Sequence, residues 1–253
     1  MDLKKKIAKR QLSIGSWLSL SEPAIAEILA GVGYEWLVVD LEHSVIGIES
    51  AGELIRTIDL CGVTPLVRLT SNKPDQIKRV MDAGAHGIIV PMVCSSEDAV
   101  RAVAATRYAP VGRRGVGLGR AQGYGNAFDR YVEWQQQGPI VLVQIEHVDA
   151  LTRLKEILSV TGIDGLIIGP YDLSCSMGQP GKFDTPEFVE AIEVIKREGS
   201  EVGCAVGLHV VEPDPKLLQQ AIDEGYNLIA HSVDIRILDG GARRALNMIQ
   251  RRV

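Results

Sequence analysis

The segment VLVQIEHVDAL, Val141 to Leu151, begins as a buried strand yet carries Gln144 and Glu146 two residues apart, so both side chains point to one face. A carboxylate on such a run is costly unless something positive meets it. Asp172 stands just past the apolar run GLIIGP, Asp40, Glu42 and His43 follow WLVV, and Arg68 ends TPLVR. Two carboxylates, Glu146 and Asp172, with no cysteine or histidine at ligand spacing suit a hard divalent cation such as Mg2+ or Mn2+, with Co2+ as a substitute. Such ions prefer oxygen and keep waters that a substrate can displace. A histidine beside an acid can move a proton near neutral pH, and a guanidinium can meet negative charge developing on oxygen. Each residue also has a structural reading. Asp172 could cap a helix, Arg68 could neutralise nearby acids, His43 and Trp17 could be packing residues, and Gln144 could bond its neighbours. What decides is whether the fold gathers them.

The elements that would do so alternate along the chain. Eight short apolar runs, SIGSWLSL, WLVVDLE, TPLVRL, GIIVPMV, VLVQIE, GLIIGP, VGCAVGLHV and NLIAHS, are separated by segments of helical period such as IESAGELIRTIDLCG and TPEFVEAIEVIKREG. Eight strand-helix units in this length, with nearly continuous apolar strands, predict a parallel sheet closed into a single-domain (β/α)8 TIM barrel over residues 1–253. An open doubly wound sheet is the rival, but no G-x-G-x-x-G opens the first helix. In a barrel, polar residues at the carboxyl ends of strands converge on one mouth, and Asp40, Glu42, His43, Arg68, Gln144, Glu146 and Asp172 all fall there. Residues 107–138, rich in glycine and arginine, depart from this scheme and are expected as an irregular excursion. Either the excursion packs against another subunit, or Arg113, Arg114 or Arg120 reaches an anionic substrate.

Composition bounds the setting. The 253 residues are 46% hydrophobic and 23% charged, with a formal net charge of -5, which argues against a nucleic-acid partner. The basic start MDLKKKIAKRQLSIGSW has no apolar stretch behind it and does not read as a secretory signal. No run is long enough to suggest a membrane span. Cys61, Cys94, Cys175 and Cys204 are scattered and read as reduced thiols of a cytoplasmic protein.

The segments VVDLEHS, PLVRLTSNKPDQIKRVMDAGAHGIIVPMV, RYAPVGRRGVG, VLVQIEHVDAL and GIDGLIIGPYDLSCSMG closely resemble the HpcH/HpaI aldolase family of metal-dependent class II pyruvate aldolases. The resemblance runs from about Trp17 to the last strand. It implies that Glu146 and Asp172 ligate the divalent metal, that pyruvate chelates it, and that Arg68 steadies the keto oxygen as it becomes an enolate. His43, with Asp40 behind it, matches an acid/base dyad working through a water, and Glu42 joins that water network. Asp82 matches an acid that family members lend to a neighbouring subunit, which implies a homo-oligomer, commonly a hexamer built as a trimer of dimers. Trp17, Gln144, Glu42 and Tyr171 are expected around the substrate. Tyr171 and His147 depart from relatives that carry a small residue and a threonine there, so they bear on the acceptor aldehyde.

The expected reaction is reversible cleavage of a 4-hydroxy-2-oxo acid, a 2-keto-3-deoxy sugar acid or hydroxy-oxo dicarboxylate, to pyruvate and an aldehyde. Two alternatives stay open. One is a lyase of acyl-CoA esters of the citrate lyase beta or malyl-CoA lyase type, which needs a basic groove for the nucleotide. The other is a barrel that binds a keto acid without turnover. A lysine Schiff base is disfavoured, because no strand contains a lysine and only Lys182 lies in a loop near the mouth.

Overall fold

In the computed structural model, which describes residues 2–248, every one of the eight apolar runs becomes a strand. The chain order opens with α1 Leu3–Ala8, β1 Ser13–Leu18, α2 Pro23–Val32, β2 Trp36–Asp40, α3 Ile48–Leu60 and β3 Thr64–Arg68. It continues with α4 Pro74–Ala83, β4 Gly87–Val90, α5 Ser96–Thr106, α6 Phe128–Gln137, β5 Ile140–Ile145, α7 Val148–Leu151 and α8 Leu154–Leu158. The last third holds β6 Gly165–Ile168, α9 Pro170–Ser176, α10 Pro186–Glu201, β7 Ala205–Val210, α11 Pro215–Asp223, β8 Leu228–Val233 and α12 Asp234–Asn247. All neighbouring strands pair in parallel and β8 closes on β1, giving the expected barrel.

Alternation along each strand divides the labour. Outward residues such as Leu37, Val39, Val67, Val141 and Val143 bury against the helix ring, while Trp36, Val38, Leu66, Ile89, Leu142 and Ile167 fill the interior. Each such aliphatic side chain contributes roughly 1.5–3 kcal/mol relative to exposure. Trp36 fits because Gly15 faces it, where a Cβ would come within 2.1 Å of the indole. One step further along the same inward rows, the side chains turn polar: Asp40 after Val38, Arg68 after Leu66, Gln144 after Leu142. The interior is therefore closed with apolar side chains at the strand starts and opens into a polar mouth at the strand ends.

The strand-start end is covered by α1, an element not expected from the sequence. Its Leu3 and Ile7 pack into the interior cluster, Lys4 pairs with Asp164 at 2.8 Å and Lys6 with Glu35 at 2.5 Å.

Residues 107–138 are less irregular than expected, since they contain α6. Its buried positions are Tyr131 and Gln135, and Gln135 Oε1 accepts the Tyr108 N–H at 2.7 Å. A glutamine holding a core position hid the helical period from an apolar count. The expectation that this segment's arginines reach the substrate is corrected for the chain's own mouth. The segment joins the end of α5 to the start of β5 and so lies at the strand-start end. There Arg114 donates to Asp82 at 2.5 Å and to the Tyr131 hydroxyl at 2.7 Å, and Arg120 pairs with Asp59 at 2.5 Å.

Candidate active site

At the strand-end mouth a cavity of about 170 Å3 is lined by Trp17, His43, Arg68, Gln144, Tyr171, Asp172 and His209 among others. Arg68 is its fixed cation. Nε and Nη2 donate to the two Asp40 carboxylate oxygens at 2.8 and 2.7 Å, and the guanidinium carbon sits 4.4 Å from the Trp17 ring centroid. Fork bonding and stacking together hold it in one orientation. Burial alone would raise the Asp40 pKa, but the Arg68 bonds and charge, with the backbone N–H groups of Glu42 and His43, outweigh it and hold Asp40 below the usual range. Nη1, 3.5 Å from Glu42 Oε2, is the guanidinium nitrogen not spent on Asp40.

Asp40 therefore stands behind Arg68 and not behind the His43 ring, which corrects the expected dyad. Asp40 meets His43 only through the His43 backbone N–H at 3.3 Å, whereas His43 Nε2 lies 3.7 Å from Glu42 Oε2. The His43 side chain is 58% exposed and free to follow a ligand.

Glu146 is 2% exposed, a buried carboxylate at the end of β5. Its Oε1 accepts the Met92 backbone N–H at 2.6 Å and its Oε2 takes the Gln144 amide. Met92 has φ +52, a left-handed backbone that costs a non-glycine residue energy and here aims its N–H at the carboxylate. At Gly169 a Cβ would stand 2.8 Å from Glu146 Oε2, so only glycine leaves that carboxylate its place. Asp172 lies in the first turn of α9 and makes no cap hydrogen bond there, so the capping reading is not realised.

Among the described residues the mouth holds more negative charge than its one arginine balances. Burial first, then the charges of Glu146, Asp40 and Asp172, push Glu42 up to about 7, against the pull of Arg68. Burial and the Asp172 charge likewise raise Glu146. Glu42 Oε2 and Gln144 Oε1 are buried without hydrogen-bond partners among the described residues. Among the described residues no three His, Cys, Asp or Glu side chains come together as a complete metal cage. Two carboxylates, unspent oxygen acceptors and surplus negative charge fit a hard divalent cation that completes its shell with water or substrate.

The remaining expected residues separate. Trp17 is buried and acts as the platform for Arg68, with His209 5.2 Å away on its ring. Gln144 steadies Glu146 while lining the cavity, and Tyr171 stands half-exposed at the rim. His147 caps α7 through its Nδ1, which accepts the Asp149 N–H at 3.2 Å. Asp82, at the end of α4, is on the opposite side of the barrel.

His209 and Met92 were not anticipated. His209 was legible as the inward residue of VGLHV at the end of β7, two positions after Gly207. Burial, and then the Arg68 charge, push its pKa down to about 4 from 6.5, so it is neutral at pH 7, its Nε2 3.3 Å from the Ser232 carbonyl. With the folded value below the unfolded one, the unfolded chain binds more protons between those values, and stability must fall as pH drops from 6.5 to 4. His209→Asn is expected to flatten that part of the melting-temperature profile, measured by thermal denaturation across the window. An unchanged slope would assign the acid sensitivity to other groups.

A family model described as HpcH/HpaI aldolase/citrate lyase matches residues 13–239. The hydroxypyruvate/pyruvate aldolase of Cupriavidus necator is 37% identical over 243 residues, covering 95% of this chain and 89% of that protein. The 2-keto-3-deoxy-L-rhamnonate aldolase of Escherichia coli K12 is 36% identical over 249 residues, 98% and 92% of the two chains. Among solved structures, an HpcH/HpaI aldolase/citrate lyase family protein from Burkholderia cenocepacia superposes with a TM-score of 0.92 at 32% identity, covering 97% of both chains.

Proposed function

This chain belongs to the HpcH/HpaI aldolase/citrate lyase family and is a carbon-carbon lyase of the aldolase type; we propose that it cleaves a 4-hydroxy-2-oxo acid reversibly to pyruvate and an aldehyde. The observation that carries this reading is the mouth itself: one guanidinium locked by Asp40 and Trp17, facing a surplus of carboxylates with acceptors to spare. Glu146 and Asp172 are the residues to hold Mg2+ or Mn2+. When bound, the cation acts as a Lewis acid that draws charge from the keto oxygen.

The protein's own groups do the rest. Cleavage breaks the C3–C4 bond: the C4 hydroxyl loses its proton, C4 becomes the aldehyde carbon, and the electron pair left on C3 spreads onto the keto oxygen as an enolate. Arg68 Nη1 is the donor available to that oxygen, and it gains strength as the charge grows. His43, beside Glu42, takes the hydroxyl proton directly or through a water, and a proton then returns to C3 to give pyruvate. Trp17 and Asp40 are positioning residues for Arg68, as Gln144, Met92 and Gly169 are for Glu146. Asp82 cannot reach the mouth of its own barrel, so any part it plays lies at a neighbouring mouth in a homo-oligomer.

The direct test is pyruvate release from a panel of 4-hydroxy-2-oxo acids, with exchange of the pyruvate methyl protons into heavy water as the half-reaction. His43→Ala is expected to slow both by about 10²-fold or more, with the affinity for the divalent cation retained. Exchange as fast as wild type would make His43 a bystander. The acyl-CoA reading finds little support, because Arg114 and Arg120 are paired at the opposite end of the barrel.

A further inference from the structure

Building on the aldolase reading, we propose that the substituent on C4 of the substrate lies in the groove between α10 and α11, and that it is apolar, an alkyl or aromatic group. The mouth cavity, about 170 Å3, is smaller than the roughly 300–1,000 Å3 that encloses a larger organic ligand, and so takes little beyond the pyruvate half. Beside it is a groove of about 750 Å3. Pro170, Tyr171, His209 and Val211 line both, so the two cavities adjoin at the ends of β6 and β7, the mouth on the inner side of β7 and the groove on its outer side, where Leu208 and Val210 face the helices.

The path is marked by aromatic rings. Tyr171, one residue before Asp172, meets Phe183 edge to face at 5.1 Å, and Phe183 meets Phe188 at 5.3 Å. Tyr171 and Phe183 remain 52% and 38% exposed, so their apolar surface is uncovered where a ligand would cover it. Beyond them the walls are Val189 and Ile192 of α10, Leu208 of β7 and Leu217 of α11.

Charge selects against an acidic tail. The lining contains Glu193, Glu212 and Glu224 and a single cation, Lys196. Lys196 is itself engaged, 3.5 Å from Glu193 and 5.4 Å from the Tyr226 ring centroid. Arg236 sits on Glu212 at 2.8 Å, which neutralises that acid and leaves no free guanidinium among the groove's lining residues. A terminal carboxylate would meet Glu193, Glu212 and Glu224; hydroxyls on carbons lying against Phe183, Ile192 and Leu208 would go unpaired, the lining's acceptors being Glu193, Gln220 and Glu224. An alkyl or phenyl group has neither difficulty.

The test uses the Mg2+-loaded enzyme and compares kcat/KM for addition of pyruvate to phenylacetaldehyde, hexanal, glycolaldehyde and glyoxylate. Apolar aldehydes are expected to lead by about tenfold or more, the scale of hydrophobic-pocket discrimination. Val189→Glu, on an exposed face of α10, and Phe183→Ala should each lower kcat/KM for phenylacetaldehyde about tenfold. Both should leave glycolaldehyde addition and pyruvate methyl exchange at wild-type rates. Intact exchange with no preference for the apolar aldehydes, or with variants that shift all four aldehydes alike, overturns the subsite and leaves the aldolase reading standing. Absence of methyl exchange in wild type overturns both. If Val189→Glu changes the mass of the particle in solution while the preference is untouched, the groove is covered by another copy and the proposal fails.

Discussion

Exhaustive chelation is expected to abolish pyruvate release and methyl exchange, and Mg2+ or Mn2+ to restore both. The reason is electrostatic: without a cation, Glu42, Glu146 and Asp172 face one another across a mouth whose only arginine among the described residues is already forked onto Asp40. The apparent affinity for the cation should weaken as pH falls, because burial favours a proton on the ligand Glu146 that the ion must displace, and a proton on its neighbour Glu42 lowers the negative charge of the mouth. Glu146→Gln is expected to lose cation binding with the fold intact. Its amide oxygen can still accept the Met92 N–H, and Gln144, whose Oε1 has no partner, can turn to accept the new amide protons. Binding is read by titration calorimetry and by the thermal shift, about 2.7 kcal/mol at a hundredfold excess over Kd, so the outcome does not depend on activity alone. Full activity after chelation would refute the metal assignment.

Arg68→Ala is the second large effect. Loss of a fixed donor at a developing oxyanion costs about 10²–10³ in kcat, and here the substitution also strips the buried Asp40 of its counterion. A fall of about 10³ is expected, with KM changed much less. Arg68→Lys keeps a charge but cannot bond both Asp40 oxygens while reaching the keto oxygen, so it should recover only part of the rate. The acid limb gives an independent readout. The Asp40 pKa is held down in the fold, so its contribution to stability is present above its unfolded value of 3.8 and is lost as pH falls through the folded value. Arg68→Ala removes that contribution, and its melting temperature should lose the corresponding dependence at low pH. A kcat within tenfold of wild type would assign enolate stabilisation elsewhere.

Much of this was legible in the residues. Period-2 alternation is a local property and put Gln144 and Glu146 on one face, while their places at the ends of apolar runs put Asp40, Arg68 and Asp172 at strand ends. Parallel closure then carried all the strand ends to one mouth. The misjudged parts are those in which a polar residue does a core residue's work or an interaction depends on distant segments. Gln135 holds a helical core position, and Met92 serves Glu146 through its backbone. No side-chain pattern reports a backbone N–H.

By itself the sequence determined the eightfold strand-helix alternation, the closed barrel and most of the polar groups at its mouth, His209 excepted, because periodicity and strand polarity act over a few residues at a time. Only the tertiary structure decided how those groups divide: Arg68 takes both oxygens of Asp40, and His209 arrives from the seventh strand to lie against Trp17. It also decided that Arg114 and Arg120 close the far end and that α10 and α11 leave an apolar groove beside the mouth. The physical reason is that ion pairs and cavities are set by where chain segments far apart in sequence meet once the barrel closes, and no local period encodes that meeting.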